Sequence, residues 1–368
     1  MNIKGKARYQ RQMLLKDFGL AGQEKLFQAK VLVIGAGGLG CPVLQYLAAA
    51  GVGTLGIVDQ DTVELSNLHR QILYTVNDIG RLKADCAAER LSQLNPDINI
   101  IPYPLQLTNQ NAALILSKFD IIIDGSDNFP TRYMINDACV LLNLPLIYAA
   151  LSASEGQVAI FNVGDAAGMK VNYRDLFPEA PQPGEVLNCS EAGVLGVLPG
   201  IIGTMQAAEA IKLISGIGKP LINQMLIYNL YTSESYQLSL KTAANSGQAQ
   251  MPADLDAFLK TDYNMLCGFS KEYNSVPELS SEKFMDIILR EEYTIIDVRE
   301  PGETPEASGF EHLNFPLSGI RKEVPLIHGD KVILFCQSGI RSVLAGEILQ
   351  QAYPEKEFYS LKGGILRL

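Results

Sequence analysis

Five short apolar runs, at 31–34, 55–58, 98–101, 120–124 and 145–149, punctuate the first 150 residues. Each is short and flanked by polar or Gly-containing segments, which predicts buried strands. The stretches between them predict helices over 39–50, 81–94, 109–117 and 129–143; in the second, Leu82, Cys86, Leu91 and Leu94 recur at near-helical spacing. Alternating strand and helix predicts a parallel sheet with helices on both faces. Residues 157–163 and 224–240 predict later, antiparallel strands, with a Pro/Gly-rich loop (178–193) and an apolar helix (200–215, stopped by Gly216) between them. A second αβ unit begins near 277, with a helix over 280–290, strands over 293–299, 331–335 and 357–361, and a helix from Arg341 to Gln351. The expected architecture is α/β: a doubly wound, mainly parallel sheet with an antiparallel extension over 1–241, then a small α/β domain over 277–368. Residues 242–276, rich in Ala, Ser, Asn and Gly, predict a linker with a short helix near Asp254–Lys260.

Composition narrows the class. The chain has 368 residues, of which 47% are hydrophobic and 19% charged, so it folds rather than staying disordered. A net charge of −10 argues against nucleic acid or an anionic membrane as partner. The N-terminus has no apolar leader, and charge or glycine interrupts the apolar stretches, so no membrane span is expected. The six cysteines (Cys41, Cys86, Cys139, Cys189, Cys267 and Cys336) form no C-x-x-C pair, which predicts free thiols in a reducing, cytoplasmic compartment.

The first strand runs into GAGGLG. Gly35, Gly37, Gly38 and Gly40 permit a tight turn that brings backbone N–H groups and a helix N-terminus to a phosphate. Asp59, ending the second strand, is placed to accept hydrogen bonds from ribose hydroxyls. A nucleotide site follows, with the reaction still open. Asn67 and Arg70 lie just beyond Asp59, Lys83 opens a helix, and Asp127-Asn128 follows the fourth strand at the sheet's carboxyl edge. Two cations can neutralise a triphosphate, and a carboxylate with phosphate oxygens suits Mg²⁺. The set fits attack on an α-phosphate with pyrophosphate leaving; hydride transfer has no use for it. Taken singly, each cation reads as a surface charge and Asp127 as a helix N-cap.

The segments RYQRQ (8–12), GAGGLGCP (35–42), VDQDTVELSNLHRQ (58–71), GRLKA (80–84), DGSDNFPTR (124–132) and CSEAGVLG (189–196) resemble, in order, those of the MoeB/ThiF group, bacterial relatives of ubiquitin-activating enzymes. The resemblance covers about 7–240. It implies a Rossmann-like fold and a homodimer. It also implies ATP- and Mg²⁺-dependent adenylation of the C-terminal glycine carboxylate of a ubiquitin-like sulfur carrier ending Gly-Gly. The glycine loop would hold phosphate and adenosine, and Asp59 the ribose. Asn67, Arg70, Gln71 and Lys83 would contact phosphates, with Asp61, Ser66 and Asn128 also at the nucleotide. Asp127 would bind Mg²⁺, and Arg11 would reach the other subunit's ATP. His69 stands where relatives often carry Asn or Gln. Many relatives hold a structural zinc with two C-x-x-C pairs. Here the first would fall at Asn172-Tyr173-Arg174-Asp175 and the second after Leu240, where no Cys occurs, so no zinc is expected.

Two thiols remain. Cys189 lies in a Pro/Gly-rich segment before a helix; the resemblance implies a covalent link to the carrier or passage of sulfur, and the bland reading is an inert loop thiol. Cys336 opens the loop CQSGIR between a strand and a helix, where backbone N–H groups, the helix N-terminus and Arg341 favour a thiolate or persulfide. With Asp297-Val298-Arg299-Glu300 upstream and Gly363-Gly364 downstream, residues 277–368 resemble a rhodanese domain with a missing or very short final helix. The implied role is to take sulfane sulfur from a persulfide donor such as a cysteine desulfurase. Phosphatase loops of this kind carry two more residues, so six residues favour sulfur. Two rivals stay open: an NAD-linked oxidoreductase, which leaves Asn67, Arg70, Lys83 and Asp127 unused, and a non-catalytic dimeric scaffold for a ubiquitin-like protein.

Overall fold

The computed structural model describes residues 3–181, 193–242, 251–267, 276–288 and 292–368. They divide into two units, the first ending at Tyr263 and the second running from Asn264 to Leu368.

In the first unit, strands β1 (Lys30–Ile34), β2 (Thr54–Val58), β3 (Asn99–Tyr103), β4 (Ile121–Asp124), β5 (Leu146–Ser152), β6 (Glu155–Phe161), β7 (Gln224–Asn229) and β8 (Ser235–Ser239) form one sheet in the order β3-β2-β1-β4-β5-β6-β7-β8. The first five are parallel and the last three antiparallel. The run 224–240 is a hairpin: Asn229 Oδ1 accepts the N–H groups of Tyr231 and Thr232, and Ser233 takes φ 59°, which turns the chain back. Strand order reverses between β1 and β4, so a crevice opens at their carboxyl ends, where this topology binds ligands.

The predicted helices appear at Gly40–Ala50, Lys83–Leu94, Asn109–Leu116 and Phe129–Leu142, each within two residues of expectation. Alternate residues of β1 and β4 (Val31, Val33, Ile121, Ile123) enter one core with Leu44, Leu47 and Ile202. The helix Val197–Ser215 is long and apolar enough to cross a membrane by composition, yet it packs on β5, β6 and the helices Gly19–Gln28 and Gly40–Ala50. Its buried Gln206 donates to the carbonyls of Asp124 and Ile147, so it serves as a core helix tied to the sheet.

The expected linker is corrected in part. Residues 251–267 carry helices Leu255–Lys260, where a short helix was expected, and Tyr263–Leu266; Asp254 caps the first. The segment docks on the first unit: Asn109 Nδ2 donates to the carbonyls of Leu259 and Thr261, and Gln110 Nε2 to Leu259. Tyr263 Oη donates 2.8 Å to Asp137 Oδ2. Asp137 is fully buried and also takes two hydrogen bonds from Arg174, at 2.7 and 2.8 Å. The first unit therefore extends beyond 241.

In the second unit, β9 (Glu278–Leu279), β10 (Thr294–Asp297), β11 (Leu313–Asn314), β12 (Lys331–Phe335) and β13 (Glu357–Leu361) form a parallel sheet ordered β11-β10-β12-β13-β9. Val332 and Leu334 face one core with Leu344 and Leu349; Ile333 and Phe335 face another with Phe284 and Leu361. After β13 the chain makes a single short turn, Ile365–Arg367.

Glu347, on helix Ile340–Ala352, carries a cost. Its Oε1 is buried without a hydrogen bond among the described residues, and burial pushes its carboxyl up to about 7. A folded pKa above the ordinary 4.5 favours the neutral acid, so this stabilisation is complete below pH 4.5 and is lost as pH rises through 7. Glu347→Gln is expected to raise the melting temperature of the second unit at pH 8, with the difference closing at pH 4. Thermal unfolding at the two pH values checks it.

Candidate active site

Gly35 takes φ 90°, and a Cβ there would lie 2.7 Å from the Gly125 carbonyl, so the turn after β1 packs directly on the turn after β4. A Cβ at Gly40 would collide with the Gly35 carbonyl. The other glycines mark what faces the turn. From the Cβ position of Gly37, Gln71 Nε2 is 3.7 Å away, and from that of Gly38, Arg70 Cγ is 3.6 Å away. Arg70 and Gln71 are thus brought to the turn.

Asp59 pins this arrangement. Its Oδ2 accepts the Ala36 N–H and its Oδ1 the Asp61 N–H, both at 2.8 Å. Burial pushes its carboxyl up, against the pull of the Lys83 charge. Lys83 is itself buried and places Nζ 3.0 Å from the exposed Asp61 carboxylate. An ammonium paired to a solvent-facing carboxylate has a partner that a phosphate oxygen can replace.

The segment after β2 is a self-capped turn. Glu64 and Asn67 cap each other across Leu65–Asn67, with Asn67 Oδ1 accepting the Glu64 N–H at 3.3 Å. Asn67 Nδ2 donates to Ser66 Oγ. Arg70 donates to the Ser66 carbonyl at 3.1 Å and to His69 Nε2 at 2.7 Å, so that ring nitrogen acts as acceptor and the imidazole steadies the guanidinium. Gln71 is buried, and its Oε1 has no partner among the described residues.

At the end of β4 the two acids separate in role. Asp124 is 1% exposed; its Oδ1 accepts the Ser126 N–H, and burial raises its carboxyl against the opposing Arg132. Asp127 is exposed, with no hydrogen bond or ion pair among the described residues. The N-cap of helix Phe129–Leu142 is Asn128, whose Oδ1 accepts the Thr131 N–H at 3.0 Å. The capping alternative for Asp127 is thereby removed, and Asn128 has only its amide left for a ligand. Asp124, Ser126, Arg132 and Gln206 escaped the sequence reading. Asp124 stood in IIIDGSDN as a strand end, whereas Gln206, within an apolar helix, carried no signal. Ser126 Oγ is a second buried, partnerless polar atom beside the glycine turn. Such orphans next to an open turn fit a polar ligand such as a nucleotide.

Arg11 is not brought to its own chain's turn. On helix Ile3–Met13, Tyr9 takes a hydrogen bond from Asn95 and Gln12 donates to the Ala50 carbonyl. Both partners lie at the far ends of the helices that start at Gly40 and Lys83. A helix of 11 residues spans about 16 Å, so exposed Arg11 sits on the opposite edge of the sheet. At the would-be zinc position, Asn172 and Asp175 cap a short helix and Arg174 pairs with Asp137. Cys189, and residues 243–250 of the segment after Leu240, lie outside the described residues.

In the second unit, Cys336 directly follows β12, fully buried, and its Sγ accepts the Gly339 N–H at 3.1 Å. The start of helix Ile340–Ala352 meets this loop, and Ile365 N–H donates to the Cys336 carbonyl. Arg341, expected to favour a thiolate or persulfide on Cys336, is the last residue of this loop. Its guanidinium makes a two-point pair with Glu303, at 2.6 and 2.7 Å, so its charge is already matched. Arg299 pairs with Asp297 and reaches the Pro305 carbonyl. A cavity of about 450 Å³ in this unit is lined by Asp297, Arg299, Glu300, Glu303, Glu306 and His312, among others, and by no residue of the loop 336–341.

Comparison with known proteins agrees with this geometry. A model of the ThiF family matches residues 9–249. A sulfur carrier protein adenylyltransferase of Thermus thermophilus is 52% identical over 235 residues, covering 64% of this chain and 87% of the relative. The probable adenylyltransferase/sulfurtransferase MoeZ of Mycobacterium tuberculosis is 37% identical, covering 98% of this chain and 92% of its own. The adenylyltransferase and sulfurtransferase MOCS3 of Drosophila virilis is 36% identical over 98% of this chain and 82% of its own. Among solved structures, PaaA shares the fold with a TM-score of 0.55 at 25% identity over 65% of this chain and 75% of that one. Escherichia coli MccB does so at 0.56 and 21%, again over 65% and 75%. With the glycine turn, Asp59 and the Cys336 loop all in place, the chain belongs to the ThiF family and to its adenylyltransferase and sulfurtransferase members.

Proposed function

We propose that the first unit adenylates the C-terminal glycine carboxylate of a ubiquitin-like sulfur carrier with ATP, and that Cys336 of the second supplies sulfur to the activated carbonyl. The observation that carries this reading is the pairing, at one switch point, of a phosphate-ready glycine turn with the exposed carboxylate of Asp127. The roles follow from what each side chain has free. The turn 35–40 offers N–H groups to phosphate, and Asp59, already holding Ala36, has lone pairs left for ribose hydroxyls. Lys83 exchanges Asp61 for phosphate, Arg70 stays oriented by Ser66 and His69, and Asn67, Gln71 and Asn128 offer amide groups. Asp127 would hold magnesium with phosphate oxygens, since one unpaired carboxylate is what that ion takes from protein at a nucleotide site. When bound, magnesium draws negative charge off the phosphates. The carrier carboxylate attacks the α-phosphorus, the bond to the bridging oxygen breaks, and pyrophosphate leaves.

In the second step a Cys336 persulfide attacks the acyl-adenylate carbonyl and AMP leaves, forming an acyl disulfide. A second thiol, Cys189 or an external reductant, attacks the Cys336 sulfur of that bond and releases the thiocarboxylate. A cysteine desulfurase is the proposed persulfide source, and the reducing cytoplasm the setting that keeps these thiols free. The test is pyrophosphate exchange with a carrier ending Gly-Gly. Exchange that requires the carrier supports the reading; none in its presence refutes it.

The placement of Arg11 supports a homodimer in which it completes the partner's site. Mixing Arg11→Ala with Asp127→Ala protein, each inactive alone, is expected to restore about a quarter of wild-type exchange, because only mixed dimers own one intact site. No recovery would refute action across the dimer.

A further inference from the structure

Two hydroxyls lie behind the Cys336 sulfur. Ser342, on the first turn of helix Ile340–Ala352, and Ser360, on β13, are both fully buried. Their Oγ atoms are 2.8 Å apart, and Ser342 is the sole hydrogen-bond partner of the Ser360 hydroxyl among the described residues. Ser342 Oγ also lies 2.9 Å from the Gly339 carbonyl and 3.5 Å from Cys336 Sγ. A hydroxyl has one proton to give, so Ser342 cannot donate to Ser360 and to the loop at once. With Ser360 donating to Ser342, each proton has an acceptor and that of Ser342 points at the loop. There it has two stations, the carbonyl and the sulfur. The carbonyl is not orphaned when the proton swings to sulfur, because the Val343 N–H also reaches it, at 3.4 Å.

A helix serine often bonds a carbonyl in the preceding turn, and that alone would account for Ser342. It does not account for Ser360, which shares a face of β13 with core Phe358, where a hydroxyl destabilises unless it is bonded. The cations nearby are matched: Arg341 by both oxygens of Glu303, and Arg299, which reaches Gln337, by Asp297. Neutral donors remain for a sulfur anion, the Gly339 N–H at 3.1 Å and Ser342. We infer that Ser342 is a catalytic residue whose hydroxyl donates to the Cys336 thiolate, and that Ser360 is a positioning residue that aims it. This rests on the sulfurtransferase reading of Cys336 given above. In the loading step the thiolate attacks the outer sulfur of a persulfide, RSSH. A new S–S bond forms at Cys336, the bond between the donor's two sulfurs breaks, and its electron pair leaves with the donor as RS⁻. Negative charge leaves Cys336 in that step, and the Ser342 proton returns to the Gly339 carbonyl.

Full-length wild type and variants are mixed with N-acetylcysteamine persulfide, and intact mass follows the gain of one sulfur on Cys336 across a pH series. The donor's own titration cancels in the ratio of variant to wild type. Ser342→Ala is expected to load about fivefold more slowly at about pH 6, where the lost thiolate outweighs the greater nucleophilicity of what remains. The gap is expected to close by about pH 10, where a thiol ionises without help. Ser360→Ala is expected to move the profile the same way by less. The double variant is expected to match Ser342→Ala, since Ser360 acts only through Ser342. A deficit in Ser342→Ala that is the same at every pH, or no deficit, overturns the role of Ser342. A Ser360→Ala profile like wild type, or an effect that adds in full to that of Ser342→Ala, overturns the role of Ser360. Wild type that gains no sulfur overturns the sulfurtransferase reading itself, before any variant is compared.

Discussion

Asp127→Ala is expected to lower carrier-dependent pyrophosphate exchange roughly 10²–10³-fold, the loss that follows removal of one group stabilising transition-state charge. Its neighbours cannot replace it. Asp124 is buried with Oδ1 committed to the Ser126 N–H, and the Asn128 carbonyl is committed to the Thr131 N–H. The fold does not depend on Asp127, which is exposed and does not cap the helix. The variant should therefore melt like wild type, and the loss should be smaller at high magnesium concentration for Asp127→Asn than for Asp127→Ala. Full exchange in Asp127→Ala would remove this residue from the chemistry.

The largest effect on stability is expected far from the nucleotide. Asp137 and Arg174 are 0% and 2% exposed, and the guanidinium also lies 4.8 Å from the Tyr133 ring centroid. Asp137→Ala leaves that guanidinium buried without its carboxylate, a loss of about 3–5 kcal/mol. For a unit of this size the melting temperature should fall by about 10 °C. The same change deprives Tyr263 Oη of its acceptor, so protease susceptibility at 251–263 should rise with it. Replacing both partners by apolar residues, Asp137→Leu with Arg174→Met, is expected to recover most of the loss, since the desolvation cost goes with the charges. A shift below about 1 °C in Asp137→Ala would show that the pair contributes little to the fold.

These two sites differ in how far they could be read from sequence. The nucleotide side was legible because its signals are local. An apolar run into GAGGLG, and another into Asp59, specify strand, turn and helix within a dozen residues. Rossmann strand order then brings both to the end of β4. The Asp137–Arg174–Tyr263 cluster was not legible. Its members come from three segments, with 126 residues between the tyrosine and its acceptor. Nothing in a helix, a would-be C-x-x-C position and an apparent linker marks them as partners. That is also why the linker looked longer than it is: weak periodicity hides a segment whose order comes from hydrogen bonds to Asn109, Gln110 and Asp137. Glu303 shows the same limit at shorter range. The loop CQSGIR announces an arginine beside a thiol, but only the folded chain reveals that a glutamate 38 residues upstream already matches its charge.

The central claim is a division of labour between the nucleotide site and Cys336. Cys336→Ala, given ATP, magnesium and a carrier ending Gly-Gly, tests it most directly, with pyrophosphate exchange and carrier thiocarboxylate measured on the same sample. Exchange near the wild-type rate with no thiocarboxylate is the expected result; exchange that disappears with Cys336 would contradict it.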